Sequence, residues 1–431
     1  MNKYERYRDT GLTWINKVPE KWNLKKINAL FDERREKVSD TDYEALSVTK
    51  NGIFKQLDNV AKTNDGDNRK KVQRNDFVIN SRSDRKGSSG LSDFNGSVSL
   101  INIVLRIKKE YPRYMHYLLK SVPFQEEFYR NGKGIVADLW STNFQSMKSI
   151  ILPIPPIKEQ VQIANYLDWK INEIDRLIQI EKEKIKQLKI CKQKYIDSLI
   201  ETIDTVPQPL KSIFNFGKGL NITKENLGQK GIKCISYGEI HNEFFFSFSS
   251  NNTKLKKLEK TDGVVISKFA NLNKGDFIFA DTSEDLNGCG NFTFLEDDFI
   301  KIYAGYHTVV AKPIIEFDTK YLAYYFQSNK WRMQVKKTVK GIKVYSITQQ
   351  ILKSSKVQIP DDKIQKNIVN RADKFIEKIN CLTDIMENCI KALLDLKQSL
   401  ISEVVTGQID VRDIAIPEYE KVAIADGEIE E

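Results

Sequence analysis

The sequence predicts an α+β protein: two mixed α/β globules joined by two long antiparallel coiled-coil helices with pseudo-two-fold symmetry. Three observations carry this. The chain repeats itself. Asn75-Asp76-Phe77-Val78-Ile79, Tyr114-Met115-His116-Tyr117-Leu118-Leu119, Trp140-Ser141 and Leu152-Pro153-Ile154-Pro155 with Gln160 return in order as Lys274-Gly275-Asp276-Phe277-Ile278-Phe279, Tyr321-Leu322-Ala323-Tyr324-Tyr325-Phe326, Tyr345-Ser346 and Val357-Gln358-Ile359-Pro360 with Gln365. Each copy ends in a long run with apolar residues at helical spacing. Prolines punctuate the joints between globule and helix.

Element by element, residues 1–21 read as an irregular N-terminal arm anchored by Trp14 and Trp22 at its end. Residues 22–154 form the first globule, with β-like runs such as Val98 to Leu105 and a short helix from Arg113 to Tyr129. Residues 155–204 form the central helix, opened by Pro155-Pro156 and closed before Pro207 and Pro209. Its seam runs through Ile163, Leu167, Ile171, Ile174, Ile178, Ile185, Leu188, Tyr195 and Leu199, interrupted by Glu181 and Lys192. Residues 205–358 form the second globule, with strands expected at Phe244-Phe245-Phe246, Gly263 to Ile266 and His307 to Val310. Residues 359–412 form the distal helix. Asp361 and Asp362 suit its positive N-terminal end, and Gly407 suits its stop. Its seam, Ile368, Ala372, Phe375, Ile379, Leu382, Met386, Cys389, Leu393, Leu396 and Leu400, alternates steps of four and three, the coiled-coil period. Residues 413–431 read as an acidic flexible tail. The two helices are expected to pair with each other, and ~40 helical residues span roughly 60 Å.

Charge and exclusions narrow the function. The 431 residues carry a formal charge of +10, which suits a polyanionic partner. No run of ~18 apolar residues suggests a membrane span, and the first residues show no apolar signal core. Five cysteines (Cys191, Cys234, Cys289, Cys381, Cys389) form no Cys-x-x-Cys pair and read as reduced thiols in the cytoplasm. There is no phosphate-binding Gly-x-x-x-x-Gly-Lys-[Ser/Thr], no Asn/Asp-Pro dipeptide of an amino-methyltransferase, no Glu-x-Lys of a nuclease and no Gly-x-Ser-x-Gly elbow. His116, His241 and His307 are scattered and lack ligand spacing, so no metal site is expected and each histidine reads as structural.

What remains are basic loops with aromatic neighbours. Arg82, Arg85 and Lys86 follow the strand ending at Ile79; arginine suits guanine edges and lysine suits phosphates. The matching loop of the second globule, Asp281-Thr282-Ser283-Glu284-Asp285, is acidic. It reads first as a structural turn, and otherwise as an acceptor for cytosine N4 or adenine N6. A more symmetric pair of loops carries Lys133 and Trp140 in one copy and Lys340, Lys343 and Tyr345 in the other, and Lys268 is a further candidate for DNA contact. The lysines from Lys182 to Lys194 read first as a solvated helix face, and otherwise as a face toward DNA that bridges the two globules.

These motifs resemble the specificity (S) subunits of type I restriction-modification systems. The resemblance rests on Tyr7-Arg8-Asp9-Thr10-Gly11 with Trp14, Pro19 and Trp22; on Pro153-Ile154-Pro155-Pro156 with Glu159-Gln160 before a long helix; and on Ser399-Leu400-Ile401-Ser402-Glu403 through Thr406-Gly407-Gln408-Ile409-Asp410. It covers essentially the whole chain, although Pro360-Asp361-Asp362-Lys363 departs from the usual proline-rich, Glu-Gln start. The resemblance implies two target recognition domains, each reading half of a split sequence in double-stranded DNA, and two spacer helices. It implies docking of two adenine-N6 methyltransferase subunits and a restriction/translocase subunit. It also implies a non-catalytic chain without cofactors of its own, with S-adenosylmethionine, ATP and Mg²⁺ held by the partners. Two rival readings are a coiled-coil scaffold without direct DNA readout and an enzyme with an unrecognised nuclease site.

Overall fold

The computed structural model describes residues 2–56, 66–133, 140–341 and 343–422. The chain divides into two compact units, residues 1–182 with 386–431 and residues 183–385.

In the first unit, Asp76–Asn80 is the centre of an antiparallel sheet ordered Ser89–Leu91, Asp76–Asn80, Asn102–Ile107, Phe31–Glu33. Successive side chains of a strand point to opposite faces. Phe77, Ile79, Ile103 and Leu105 therefore pack into one core, with the helices Pro112–Lys120 and Val122–Arg130. Val78 and Val104 pack into another, with Leu46, Ile53, Val72 and Val98. The single helix expected from Arg113 to Tyr129 is two helices. Ser121 takes an extended conformation (φ −64°, ψ 143°) and Pro123 opens the next helix. Asn23–Lys26 pairs with Ile151–Ile154 and so ties the two ends of the globule together.

The second unit repeats the plan. Its five-stranded sheet runs Phe214–Lys218, Thr308–Pro313, Phe277–Ala280, Phe292–Leu295, Ser247–Phe248. Phe277 and Phe279 face one core, Ile278 and Ala280 another. Helices Thr319–Gln327 and Asn329–Thr338 break at Ser328, as their counterparts break at Ser121. Local bonds recur too. Asn75 and Gly275 are left-handed (φ 70° and 84°), and the next residues, Asp76 and Asp276, each accept a main-chain N–H three residues back, from Gln73 and Asn273 (2.8 Å each). Tyr114 donates to Pro153 O (2.9 Å) and Tyr321 to Gln358 O (2.6 Å); burial raises both phenol pKa values, so both remain donors.

Several strand expectations are corrected. Gly263 to Ile266 is a loop, and Phe244 to Phe246 precedes the short strand Ser247–Phe248. The N-terminal arm is not irregular: Tyr7–Asp9 and Lys17–Pro19 form an antiparallel hairpin, and Trp22 is buried, donating to Glu159.

The long helices are Ile157–Glu201 and Asp362–Val405. In the first unit their segments run antiparallel: Gln162 reaches Val411 O (2.9 Å) and Asp175 pairs with Lys397 (2.6 Å). In the second unit Tyr195 stacks on Phe375 (centroids 3.9 Å apart) and Gln358 reaches Ile203 O (3.0 Å), again antiparallel. The expected distal seam is partly displaced. Leu382, Cys389 and Leu396 are exposed, while Thr383, Ile390 and Lys397, one residue on, are the shielded positions. Lys397 takes an inward place because Asp175 on the facing helix answers its charge. In the second unit Lys192 lies on the inward line, where burial lowers its pKa. The C-terminal segment over 413–422 does not stand free: Ile414 and Ile416 pack on the first core, and Asn172 bonds Glu420 O and Val422 N. Residues 423–431 lie outside the described residues.

Candidate nucleic-acid interface

The two basic loops of the first globule, distinct in sequence, form one rim. Beyond Asn80 the chain leaves the sheet, and the loop of 140–142 runs alongside it. Thr142 N–H donates to Ser81 O and Ser83 N–H to Trp140 O (2.9 Å each). Arg82 bridges Ser141, and Ser141 exchanges two main-chain bonds with Lys133 (3.1 Å each). Arg82, Arg85, Lys86, Lys133 and Trp140 are thereby gathered, all exposed. The remainder of that loop, 134–139, lies outside the described residues. The guanidinium groups of Arg82 and Arg85 engage no described side chain. Lys86 differs: it pairs with Glu126 at 2.5 Å. The rim is fastened from below. Tyr129, its phenol pushed up to about 12 by burial, donates to Asn80 O and Arg85 O (3.3 and 3.4 Å). Lys120 donates to Gly87 O (3.0 Å) and Ser89 O (3.2 Å), and burial lowers it to about 8. A polar recess of about 160 Å³, lined by Ser47, Gln56, Arg69, Asn80, Ser99 and Asn102, adjoins this strand end. Within it Asn102 Oδ1 is buried without a hydrogen-bond partner among the described residues.

The second globule builds its rim on a corresponding main-chain frame. Ile347 N–H donates to Asp281 O (2.7 Å). Thr282 and Ser283 pair with Ser346 and Tyr345, and Lys340 bridges Ser346. Lys340 and Lys343 are exposed; Tyr345 is half-buried against the core. Lys268 reaches the same strand end by another route. Its neighbour Ser267 bonds Lys218 O (3.5 Å), and Gly219 N–H donates to Thr308 O (3.1 Å). A Cβ at Gly217 would strike the Phe269 ring, so glycine is needed for that loop to close on the strand. The acidic segment divides in two. Asp285 makes a turn, accepting Gly288 N–H (2.7 Å), while Arg332 braces that turn through Asn287 O and Asn291 Oδ1 (2.5 and 2.8 Å). Asp281 instead meets His307, whose Nδ1 lies 3.0 Å from Asp281 Oδ1.

Strand pairing aligns the two rims position by position. Asn80 faces Asn102 in the first sheet, and Ala280 faces Thr308 in the second. Ser81 therefore matches Asp281, Arg82 matches Thr282, Ile101 matches His307, Lys133 matches Lys340 and Trp140 matches Tyr345. His307 is absent from the candidates chosen by charge, and Asp281 stands there only within the acidic loop read first as a turn. The signal that finds them is their place just past the strand ends, once the repeat is aligned through its Asp-Phe strands. Strand register gives His307 this carboxylate neighbour. His241 does have a structural place, with Nε2 on Thr282 O (2.8 Å) and Nδ1 accepting from Asn291 (3.0 Å).

Among the described residues no cluster of three His, Cys, Asp or Glu could hold a metal ion, and no helix is long and apolar enough to cross a membrane.

The family model agrees with this duplicated plan. The family described as "Type I restriction modification DNA specificity domain" matches twice, over residues 19–189 and 204–392. No curated protein sequence matches the chain. A solved structure described as showing complex assembly and conformational transition of the type I R-M system is similar in fold, with TM-score 0.65 and 12% identity, covering 91% of this chain and 99% of that one. The HsdS subunit from Thermoanaerobacter tengcongensis aligns over 91% of this chain and 98% of its own, with 13% identity and TM-score 0.49. Two family matches spanning most of the sequence, each falling on a globule with its adjoining helix, make this chain a member of the type I restriction-modification DNA specificity family.

Proposed function

We propose that this chain is the sequence-reading subunit of a type I restriction-modification complex, that it recognises an asymmetric two-part DNA target, and that it has no catalytic activity of its own. One observation carries the reading. Two rims are built on corresponding main-chain pairings yet present different side chains at matched positions, Arg82 against Thr282 and Ser81 against Asp281. A shared frame with unlike contact residues suits two unlike half-sites. Exposed Arg82, Arg85, Lys133, Lys268, Lys340 and Lys343 supply phosphate contacts, and arginine also reads guanine edges. Trp140 and Tyr345 give each rim an aromatic surface beside its lysines.

The partners follow from the same reading. Two adenine-N6 methyltransferase subunits dock on the helices, whose exposed apolar residues include Leu177, Ile180, Leu394 and Leu396 in the first unit and Ile190, Leu382 and Ile385 in the second. A restriction/translocase subunit completes the assembly. S-adenosylmethionine, ATP and Mg²⁺ act in those partners. The likeness to a type I R-M assembly structure supports this division.

Modification-aware sequencing of host DNA tests the proposal. The expected result is one two-part methyladenine motif that disappears when the gene is deleted. A contiguous motif, or none that depends on this chain, would overturn it. A coiled-coil scaffold would show no salt-sensitive DNA binding together with the methyltransferase, whereas phosphate contacts make affinity fall steeply with salt. The purified chain with Mg²⁺ is expected to leave DNA uncut.

A further inference from the structure

We infer that His307, held by Asp281, reads one base pair of the second globule's half-site by accepting a hydrogen bond from an exocyclic amino group. This rests on the proposal that the rims read DNA, and adds a residue, an atom and a chemical class to it.

Backbone comes first. Among the described residues only Asn75 and His307 are non-glycine residues with positive φ. Asn75 is accounted for by the turn into Asp76, and its counterpart is glycine. His307, at φ 54°, matches Ile101, whose backbone is ordinary. Left-handed backbone is unfavourable for a residue bearing a Cβ, and such strain gathers at functional sites. Glycine would fit this turn without that strain; histidine instead places an imidazole there.

The ring is then fixed on several sides. Asp281 N–H donates to His307 O (3.1 Å), placing the two residues side by side at the ends of adjacent strands. Tyr237 and Tyr306 pack edge-on against the ring, with centroids 5.3 and 5.8 Å away. Even so, the side chain is 53% exposed. A carboxylate only accepts, so the short Nδ1–Oδ1 contact places the ring hydrogen on Nδ1. In the neutral ring Nε2 is then a lone-pair acceptor, without a partner among the described residues.

Location and chemistry meet here. The main-chain bond from Ile347 to Asp281 O puts this pair on the same rim as Tyr345 and Lys340. An acceptor beside an acid is poorly suited to phosphate. The complementary donors on DNA are amino groups, adenine N6 and cytosine N4 in the major groove. The first rim lacks this device, having Ile101 and Ser81 at the matching positions.

The test uses the complete complex with its methyltransferase subunits. His307→Gly and His307→Asn both tolerate left-handed backbone. Motif mapping with either variant is expected to relax one position of one half-site by roughly ten- to hundred-fold, with the other half unchanged. Wild-type complex is then bound to duplexes carrying purine in place of adenine, or a pyrimidinone in place of cytosine, at each position of that half-site. A loss of about tenfold or more is expected at the relaxed position, and His307→Gly should lose nothing further there. The inference is overturned if no position of that half-site is sensitive to the missing amino group, if the variants leave the motif unchanged or disturb both halves, or if the two losses add. Failure of the underlying proposal looks different: wild-type complex would then give no two-part motif at all.

Discussion

Gln160 and Gln365 make the same pair of hydrogen bonds, each inside its own unit. Gln160 Nε2 donates to Pro155 O (2.9 Å) and its Oε1 accepts Tyr111 N–H (2.8 Å). Gln365 Nε2 donates to Pro360 O and its Oε1 accepts Asp318 N–H (2.8 Å each). Both side chains are buried. Each amide therefore locks the first turn of a long helix to the segment that enters the globule's own helix pair. Both functions are needed at once, a donor on one side and an acceptor on the other. Gln365→Ala leaves two main-chain groups unanswered and is expected to destabilise the chain by about 2–4 kcal/mol. Gln365→Glu keeps the acceptor but removes the donor and buries a charge, so it should do no better. Denaturant unfolding with an unchanged slope checks both; a loss below 0.5 kcal/mol for the alanine variant would contradict this role.

On the first rim the arginines and Lys86 separate cleanly. The guanidinium groups of Arg82 and Arg85 engage no described side chain, whereas Lys86 is occupied by Glu126. Replacing Arg82 or Arg85 by alanine is expected to relax one half-site only, at roughly 1–3 kcal/mol if a two-pronged base contact is lost. Lys86→Ala should change binding by less than about half as much. Electrophoretic shift against a panel of half-site variants distinguishes them, and equal loss at both half-sites for Arg82→Ala would count against the assignment.

Acid sensitivity is expected from His116. Its ring lies between Phe77 and Tyr117, and Nδ1 accepts Leu91 N–H (3.2 Å). Burial, then the positive charges of Arg113 and Lys120, hold its pKa well below the ordinary imidazole value. The folded ring is thus neutral where the unfolded ring gains a proton. Its contribution to stability is complete above the unfolded value of about 6.5 and is lost as pH falls toward the folded value, at up to about 1.4 kcal/mol per pH unit. His116→Gln keeps an acceptor that does not titrate. Between pH 6.5 and 5 the wild-type chain should lose about 1–2 kcal/mol more than this variant; parallel pH profiles would refute it.

Stabilisation, by contrast, is expected at Lys192. It occupies the inward line of the central helix, makes no ion pair with a described residue, and has its pKa lowered by burial. Lys192→Leu removes that penalty and extends the apolar seam, for a gain of about 1 kcal/mol and a rise in melting temperature of roughly 2–4 °C. A lower melting temperature would show that the lysine has a partner role instead.

The parts legible in the sequence are those encoded locally. Pro153-Ile154-Pro155 with Gln160, and Ile359-Pro360 with Gln365, mark the joints because strand, proline and helix cap lie within a few residues. Long seams mark the helices for the same reason. Position-level packing was less legible. Leu396 and Lys397 are adjacent, and only the facing Asp175 decides that the lysine turns inward. Each rim joins segments far apart in sequence, Ser81 with Thr142 and Asp281 with Ile347, so charge revealed its lysines and arginines but not their shared edge. His307 was the least legible of all. Its partner is fixed by the register of Ala280 against Thr308, which no local pattern states.

The bonds that seat the two rims have an evolutionary corollary. Thr142 to Ser81 and Ile347 to Asp281 are joined through main-chain atoms alone, so the joint is indifferent to which side chain sits there. The same holds where Arg82 and Thr282 meet their serines. Substitutions at these places alter what is displayed without unmaking the support beneath. On the proposed reading, a lineage carrying this scaffold is free to drift to new targets one residue at a time, with the support beneath each rim unchanged.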